Sequence, residues 1–195
     1  VGQPEGTRIV LPRLSEEEAA RRTPDERLAV RFPALYRRFN DLGVRGLSPG
    51  SSLRRRVVAR GINRAYAAAN RRDFELLLIG IDPDHEYRPS PEIMPPDLGG
   101  PTHGHEGYLR MWGYWLDAFE DIRYEPEEVL DLGDKFLVTV RQVGHGSGSG
   151  VGLTLPVFQL LTIRGGRTIL QEDFLDREEA LAAAQSSSVA PLTAK

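Results

Sequence analysis

The feature that most restricts this chain is a change of period near residue 120. Before it, apolar residues recur at helical spacing. After it, "IRYEPEEVLDLGDKFLVTVRQVGHG" and "VGLTLPVFQLLTIRGGRTILQEDFLD" alternate with a period of two. The turns "LGDK" and "RGGR" and the glycine run "VGHGSGSGVG" cut this region into four consecutive antiparallel strands, expected at about 121–131, 135–144, 151–163 and 167–175. A phosphate-binding glycine loop opens into a helix. This run has strand patterns on both sides, so it reads as a hairpin tip.

The helices that must cover such a meander precede it. Leu53, Val57, Ile62, Ala65, Tyr66 and Ala69 mark one face of a helix capped by Ser52 and running to about Asn70. Its other face carries Arg54, Arg55, Arg56, Arg60 and Arg64, read as a solvated face paired with glutamates of the N-terminal region. "RRDFELLLIG" forms a short helix and "DPDHEYR" a short strand ended by prolines. "HEGYLRMWGYWLDAFED" is a helix with Leu109, Trp112, Trp115, Leu116 and Phe119 on its apolar side. "DREEALAAA" closes the pattern as a helix capped by Asp176. This order specifies an α+β fold with helices over one face of a curved antiparallel sheet.

Residues 1–52 read as a helical extension with a linker, residues 53–183 as the main domain and residues 184–195 as a disordered tail. Capping boxes at Ser15–Glu18 and Thr23–Glu26 start short helices in the extension. Leu28, Phe32, Leu35, Tyr36 and Phe39 then form an apolar stripe, expected to pack on the main domain or a dimer partner rather than on a membrane surface or a separate partner helix. The chain lacks cysteine, which removes thiol chemistry and cysteine zinc sites. A net charge of −3 gives no basic field for nucleic acid, and no apolar run is long enough to span a membrane. With no signal-peptide pattern at the N-terminus, the expected location is cytoplasmic.

The succession "AYAAANRRDFELL", "DPDHEYR", "GHEGYLRMW", "EEVLDLGDKFLVTVR" and "GGRTILQEDFLDREEAL" resembles the SnoaL-like branch of the nuclear transport factor 2-like superfamily, over about residues 53–183. The resemblance implies a cone-like sheet packed against helices, a pocket between them, and a homodimer. Fold alone does not give function, because related proteins include cyclases, isomerases, hydrolases and noncatalytic binding modules. Tyr66 resembles the tyrosine of the isomerases, whose base and oxyanion acid fall here on Pro89 and near Val157. Arg141 and Asp173 resemble an arginine and an aspartate of the epoxide hydrolases, whose second aspartate is here Val143. Neither standard mechanism is complete.

The candidate site is therefore Asp173, Arg141, Tyr87, His85 and Tyr66, with Trp112, Trp115, Tyr108 and Phe158 contacting substrate. Asp173 would move a proton with Arg141 as its partner, although such a pair can also be purely structural. His85 could titrate near neutrality or be packed. His103 and His105, with Glu106 or His85, have metal-like alternation, but a proline- and glycine-rich loop entering a helix explains them, and no metal or cofactor is expected. The expected ligand is a small apolar, oxygen-bearing molecule, handled by a lyase, cyclase, isomerase or hydrolase or by a noncatalytic dimeric module.

Overall fold

A computed structural model of the chain describes residues 6–94 and 100–186. Four strands carry the expected meander: β4 (Arg123–Asp131), β5 (Lys135–His145), β6 (Gly152–Arg164) and β7 (Arg167–Phe174). Around them lie β1 (Thr7–Val10), β2 (Ile81–Arg88) and β3 (Thr102–His103), giving one sheet in the order β1-β4-β5-β6-β7-β2-β3. β2 runs parallel to β7, and all other pairs are antiparallel. The helices are α1 (Glu16–Ala20), α2 (Pro24–Arg31), α3 (Pro33–Arg45), α4 (Ser52–Asn70), α5 (Phe74–Gly80), α6 (Gly104–Ala118) and α7 (Arg177–Ser186).

Alternation sorts the sheet into two faces. Phe136, Val138 and Val140 of β5 join Tyr87, Tyr124 and Val129 in the main core, packed against α4, α5 and α6. Leu137 and Leu160 face the other way and bury Ala180 and Leu181 of α7. Asp176 caps α7 by accepting from the Glu179 N–H at 2.9 Å. The glycine run is the β5–β6 hairpin tip, with Gly148 and Gly150 at positive φ. His145 at its base pairs with Asp121 at 3.0 Å.

The N-terminal segment departs from the purely helical reading: Thr7–Val10 adds to the sheet, pairing with Glu128–Asp131 of β4. The Ser15 box forms in both directions, and the Ser15 and Thr23 N–H groups donate to Glu18 and Glu26 at 2.9 and 2.7 Å. The apolar stripe does not pack on the domain. Leu28, Phe32, Leu35 and Phe39 remain 58%, 49%, 53% and 64% exposed, and within it Tyr36 turns inward beside the Ala29–Ala68–Leu76 cluster. Helix α7 includes residues 184–186, where the sequence predicts the start of a disordered tail, and residues 187–195 lie outside those described.

Ser51, not Ser52, caps α4, accepting from the Arg54 N–H at 3.3 Å. The helix is rotated relative to its sequence reading: Leu53 and Val57 are exposed, while Arg54 and Arg64 are buried. Arg54 makes a two-pronged ion pair with Asp131 at 2.6 and 2.8 Å and donates to the carbonyls of Val44, Leu47 and Gly133. Arg64 grips Glu26 at 2.9 and 2.6 Å and donates to the carbonyls of Glu18 and Arg21. Burial opposes Glu26 ionisation, but hydrogen bonds from Arg64 and the Thr23 backbone hold its pKa below the usual glutamate range. The α4 arginines thus hold α2 through the buried Arg64–Glu26 pair and the surface pair Arg60–Asp25, and α1 through the Glu18 carbonyl.

Leaving one member of a buried pair alone costs far more than breaking a surface pair. Asp131→Ala is expected to lower unfolding free energy by about 3–5 kcal/mol, against about 1 kcal/mol or less for Asp25→Ala. Urea titration followed by circular dichroism checks this; equal losses would refute the ranking.

Candidate active site

A cavity of about 140 Å³ lies between the inner face of the sheet and α4, α5 and α6. Aromatic rings dominate it: Tyr66 from α4, Tyr87 from β2, Tyr108, Trp112 and Trp115 from α6, and Tyr124 from β4. Their spacing follows from the elements. Residues 108, 112 and 115 share one face of a helix, and Trp112 meets Tyr124 edge-on at 5.3 Å. Behind Trp112 sits the Arg72 guanidinium, 5.4 Å from the ring, with Arg72 in the left-handed region at φ 61° and donating to the Ile122 carbonyl.

Among the described residues, Asp173 of β7 is the single charged side chain lining the cavity. It is 7% exposed, and its carboxylate accepts from the Tyr87 hydroxyl at 2.9 Å, Gln159 Nε2 at 3.0 Å and Gln171 Nε2 at 3.0 Å. Burial raises its pKa to about 6, and the bonds from Gln171, Tyr87 and Gln159 pull in the opposite direction without cancelling it. The Tyr66 hydroxyl donates to Gln159 Oε1 at 2.5 Å, so Tyr66, Gln159, Asp173 and Tyr87 form one network. Burial also drives the Tyr66 and Tyr87 hydroxyls well above the usual tyrosine range, with Asp173 adding to the effect, and raises Tyr108 to about 12. These phenols are donors at neutral pH, not bases.

Three sequence assignments fail on geometry. Arg141 does not face Asp173: it lies on the outer face with Thr139 and Val143, 42% exposed, bonded to Glu125 at 2.8 Å and 3.5 Å from Glu127. Its neighbour Gln142 points inward instead, and a one-residue difference in strand parity is a difference of face. Phe158 likewise packs outward against the α7 cluster, while Gln159 and Leu161 line the cavity. His85 is fully buried with neither ring nitrogen hydrogen-bonded, stacked edge-on to Tyr108 at 5.7 Å, and is absent from the lining. Burial lowers its pKa to about 4, so it is a neutral packing residue at physiological pH. His105 bonds the Ile81 carbonyl at 3.0 Å, and among the described residues no three histidine, aspartate or glutamate side chains gather as a metal site.

Asp173, Tyr66, Tyr87, Tyr108, Trp112 and Trp115 line one cavity, together with Tyr124, Gln142, Gln159 and Gln171. The apolar parity of Phe136, Val138 and Val140 marks Gln142 as inward-facing, a signal present in the sequence. Gln142 Nε2 is buried with no hydrogen-bond partner.

Residues 62–170 match the family model of the SnoaL-like domain. The chain belongs to the SnoaL-like family. Among solved structures, this SnoaL-like chain is similar to TerC co-crystallised with polyporic acid, at 27% identity over 63% of this chain and 96% of that one, TM-score 0.54. An NTF2-like protein from Burkholderia pseudomallei is 24% identical over 63% and 93% of the two chains, TM-score 0.55. IdmH of Streptomyces antibioticus, described as a candidate polyketide cyclase, is 21% identical over 65% and 97%, TM-score 0.53. The expected α+β cone with its nuclear transport factor 2-like architecture is thus the observed fold. No curated protein matches the chain. Among the described residues, no helix is long and apolar enough to cross a membrane.

The raised pKa of Asp173 fixes the sign of a stability effect. The folded state holds this proton more tightly than the unfolded chain, so the contribution is full below about pH 4 and is lost as pH rises through about 6. Relative to Asp173→Asn, wild type should lose roughly 3 kcal/mol over that window. Unfolding curves of both proteins at pH 4, 5, 6 and 7 read the difference; a flat or rising difference contradicts the assignment.

Proposed function

We propose that this SnoaL-like protein is a cofactor-independent acid–base enzyme acting on a small, carbonyl-bearing compound with a neutral aromatic ring, with Asp173 as the proton-transfer group. The observation that carries this reading is the buried carboxylate with a pKa of about 6 and three donors, in a cavity whose lining holds no other charge among the described residues. All three neighbours donate to the ionised form, so at neutral pH Asp173 acts as a base. It takes a proton from the carbon beside the carbonyl, the C–H pair becomes the enolate, and the carboxyl returns the proton at that or another atom. Gln142 Nε2 supplies a donor for the developing oxyanion, in a setting where a preorganised donor is worth more than in water. Tyr66 and Tyr87 hold the base through the network, and the aromatic walls select flat apolar rings. Similarity to TerC, a protein co-crystallised with polyporic acid, supports a small organic ligand. Cyclisation by carbanion attack is the corresponding reaction class. Arg141 has no part in it.

Proton abstraction can be read without knowing the natural product. An acetylnaphthalene probe in D₂O should gain deuterium beside its carbonyl in a saturable, protein-dependent reaction that rises with pH through about 6 and then levels. Asp173→Asn should lower the exchange by about 10²–10⁴-fold. Probe binding without any exchange would instead identify a noncatalytic binding module.

Gln142→Leu separates stability from function. Replacing a buried donor that has no protein partner should raise unfolding free energy by about 1 kcal/mol, while weakening probe affinity. Thermal melting with calorimetric titration tests both, and a variant that binds as well as wild type removes Gln142 from the site.

A further inference from the structure

The 140 Å³ cavity is small for the compounds that pockets of this kind enclose, which fill roughly 300–1,000 Å³. Beside it lies a cleft of about 960 Å³, and the two spaces share Tyr66 and Tyr124 as walls. The cleft has a definite origin. β1 pairs with β4 from Glu128 to Asp131, and the chain then leaves the strand, so Arg123–Pro126 of β4 has no strand neighbour on that side among the described residues. Asn70 fills part of the vacancy, exchanging hydrogen bonds with the Tyr124 backbone N–H and carbonyl at 2.8 and 2.9 Å. Residues 11–20 form the opposite wall, and they lie outside the 62–170 family match.

The chemistry of the cleft differs from that of the cavity. Leu11, Leu14, Ala20 and Pro126 supply apolar surface, and Arg123 and Arg141 supply cations. Glu125, which also lines it, is held by Arg13 and Arg141 at 2.8 Å each. Arg123 makes no ion pair among the described residues; it acts on Asp121 at longer range, and that carboxylate is bonded to His145. Glu127 lies 3.5 Å from Arg141, and the exposed Glu16 makes no ion pair among the described residues, so Arg123 is the uncommitted cation of the cleft and Glu16 its uncommitted acid.

We propose that this cleft is a second ligand compartment, which takes a largely apolar side arm bearing acceptor oxygens while the ring of the same molecule sits in the Asp173 cavity. The substrate is then a two-part molecule, and the N-terminal segment sets its length. This rests on the cavity being the ring site.

The test compares three compounds by calorimetry: an acetylnaphthalene, the same ring carrying a hexanoate arm, and the methyl ester of that arm. The arm is expected to raise affinity at least about tenfold, the gain that burial of about two methylenes supplies. Ala20→Phe, which narrows the cleft at an exposed position, should abolish that gain and leave affinity for the unarmed ring unchanged. Unchanged ring binding also shows that the variant is folded. A carboxylate advantage over the ester, lost in Arg123→Ala, assigns an anionic arm; equal affinities assign a neutral acceptor. Ring binding with no gain from either arm, or a gain that survives Ala20→Phe, overturns the second compartment. Binding of the armed compounds in an Ala20-dependent manner, with no ring binding, would sink the ring site while sustaining the cleft. Failure of all three compounds to bind overturns both.

Discussion

The Arg54–Asp131 pair fixes α4 against the β4–β5 turn, and most of the site depends on where α4 lies. Both side chains are almost wholly out of solvent, and Arg54 also gathers carbonyls from the end of α3 and from the turn. A guanidinium buried in this way is tolerated because its donors are met in a planar fork. With that end of α4 held, Tyr66 three turns along reaches Gln159 and, through it, Asp173. At the far end Asn70 bonds the β4 backbone beside Tyr124. One helix therefore positions a hydroxyl, a strand edge and two walls of the cavity.

The cavity is as much defined by where its cations are not. Had Arg141 faced Asp173, an ion pair would have favoured the carboxylate and lowered its pKa, leaving a weak base. The protein spends Arg141 on Glu125 outside and places Arg72 behind Trp112. Asp173 is left with neutral donors, which orient it and only partly offset desolvation. This combination of one buried carboxylate, three neutral donors and aromatic walls suits proton transfer at a carbon acid with no strongly charged group.

Much of this was legible in the chain. The switch of period gave the meander, capping residues gave the helix starts, and the quoted succession of segments gave the family. Asp173 and Tyr66 came from the same resemblance. Arg141 failed because the resemblance was followed against local parity: Val138 and Val140 already assign even-numbered positions of β5 to the core, which sends 141 outward. Phe158 failed because α7 gives the outer face of β6 an apolar partner, so a large apolar residue does not imply the cavity side. His85 was ambiguous in principle, since nothing local distinguishes a titrating imidazole from one enclosed beside Tyr108. The α4 arginines misled for a related reason: an arginine pattern does not reveal whether a partner arrives from 38 or 77 residues away to bury it.

The turn between β6 and β7 carries a further obligation. Gly165 and Gly166 both adopt positive φ, which a hairpin of this kind needs. Gly166 also abuts α3: a Cβ built on it would fall 2.2 Å from the Arg37 carbonyl oxygen. The residue is thus a seat as well as a hinge for the chain. A SnoaL-like scaffold with any side chain at this point has no room for a helix laid as α3 is here. The glycine is thus a steric condition for seating α3, set some 120 residues downstream of that helix and inside the residues that match the family model.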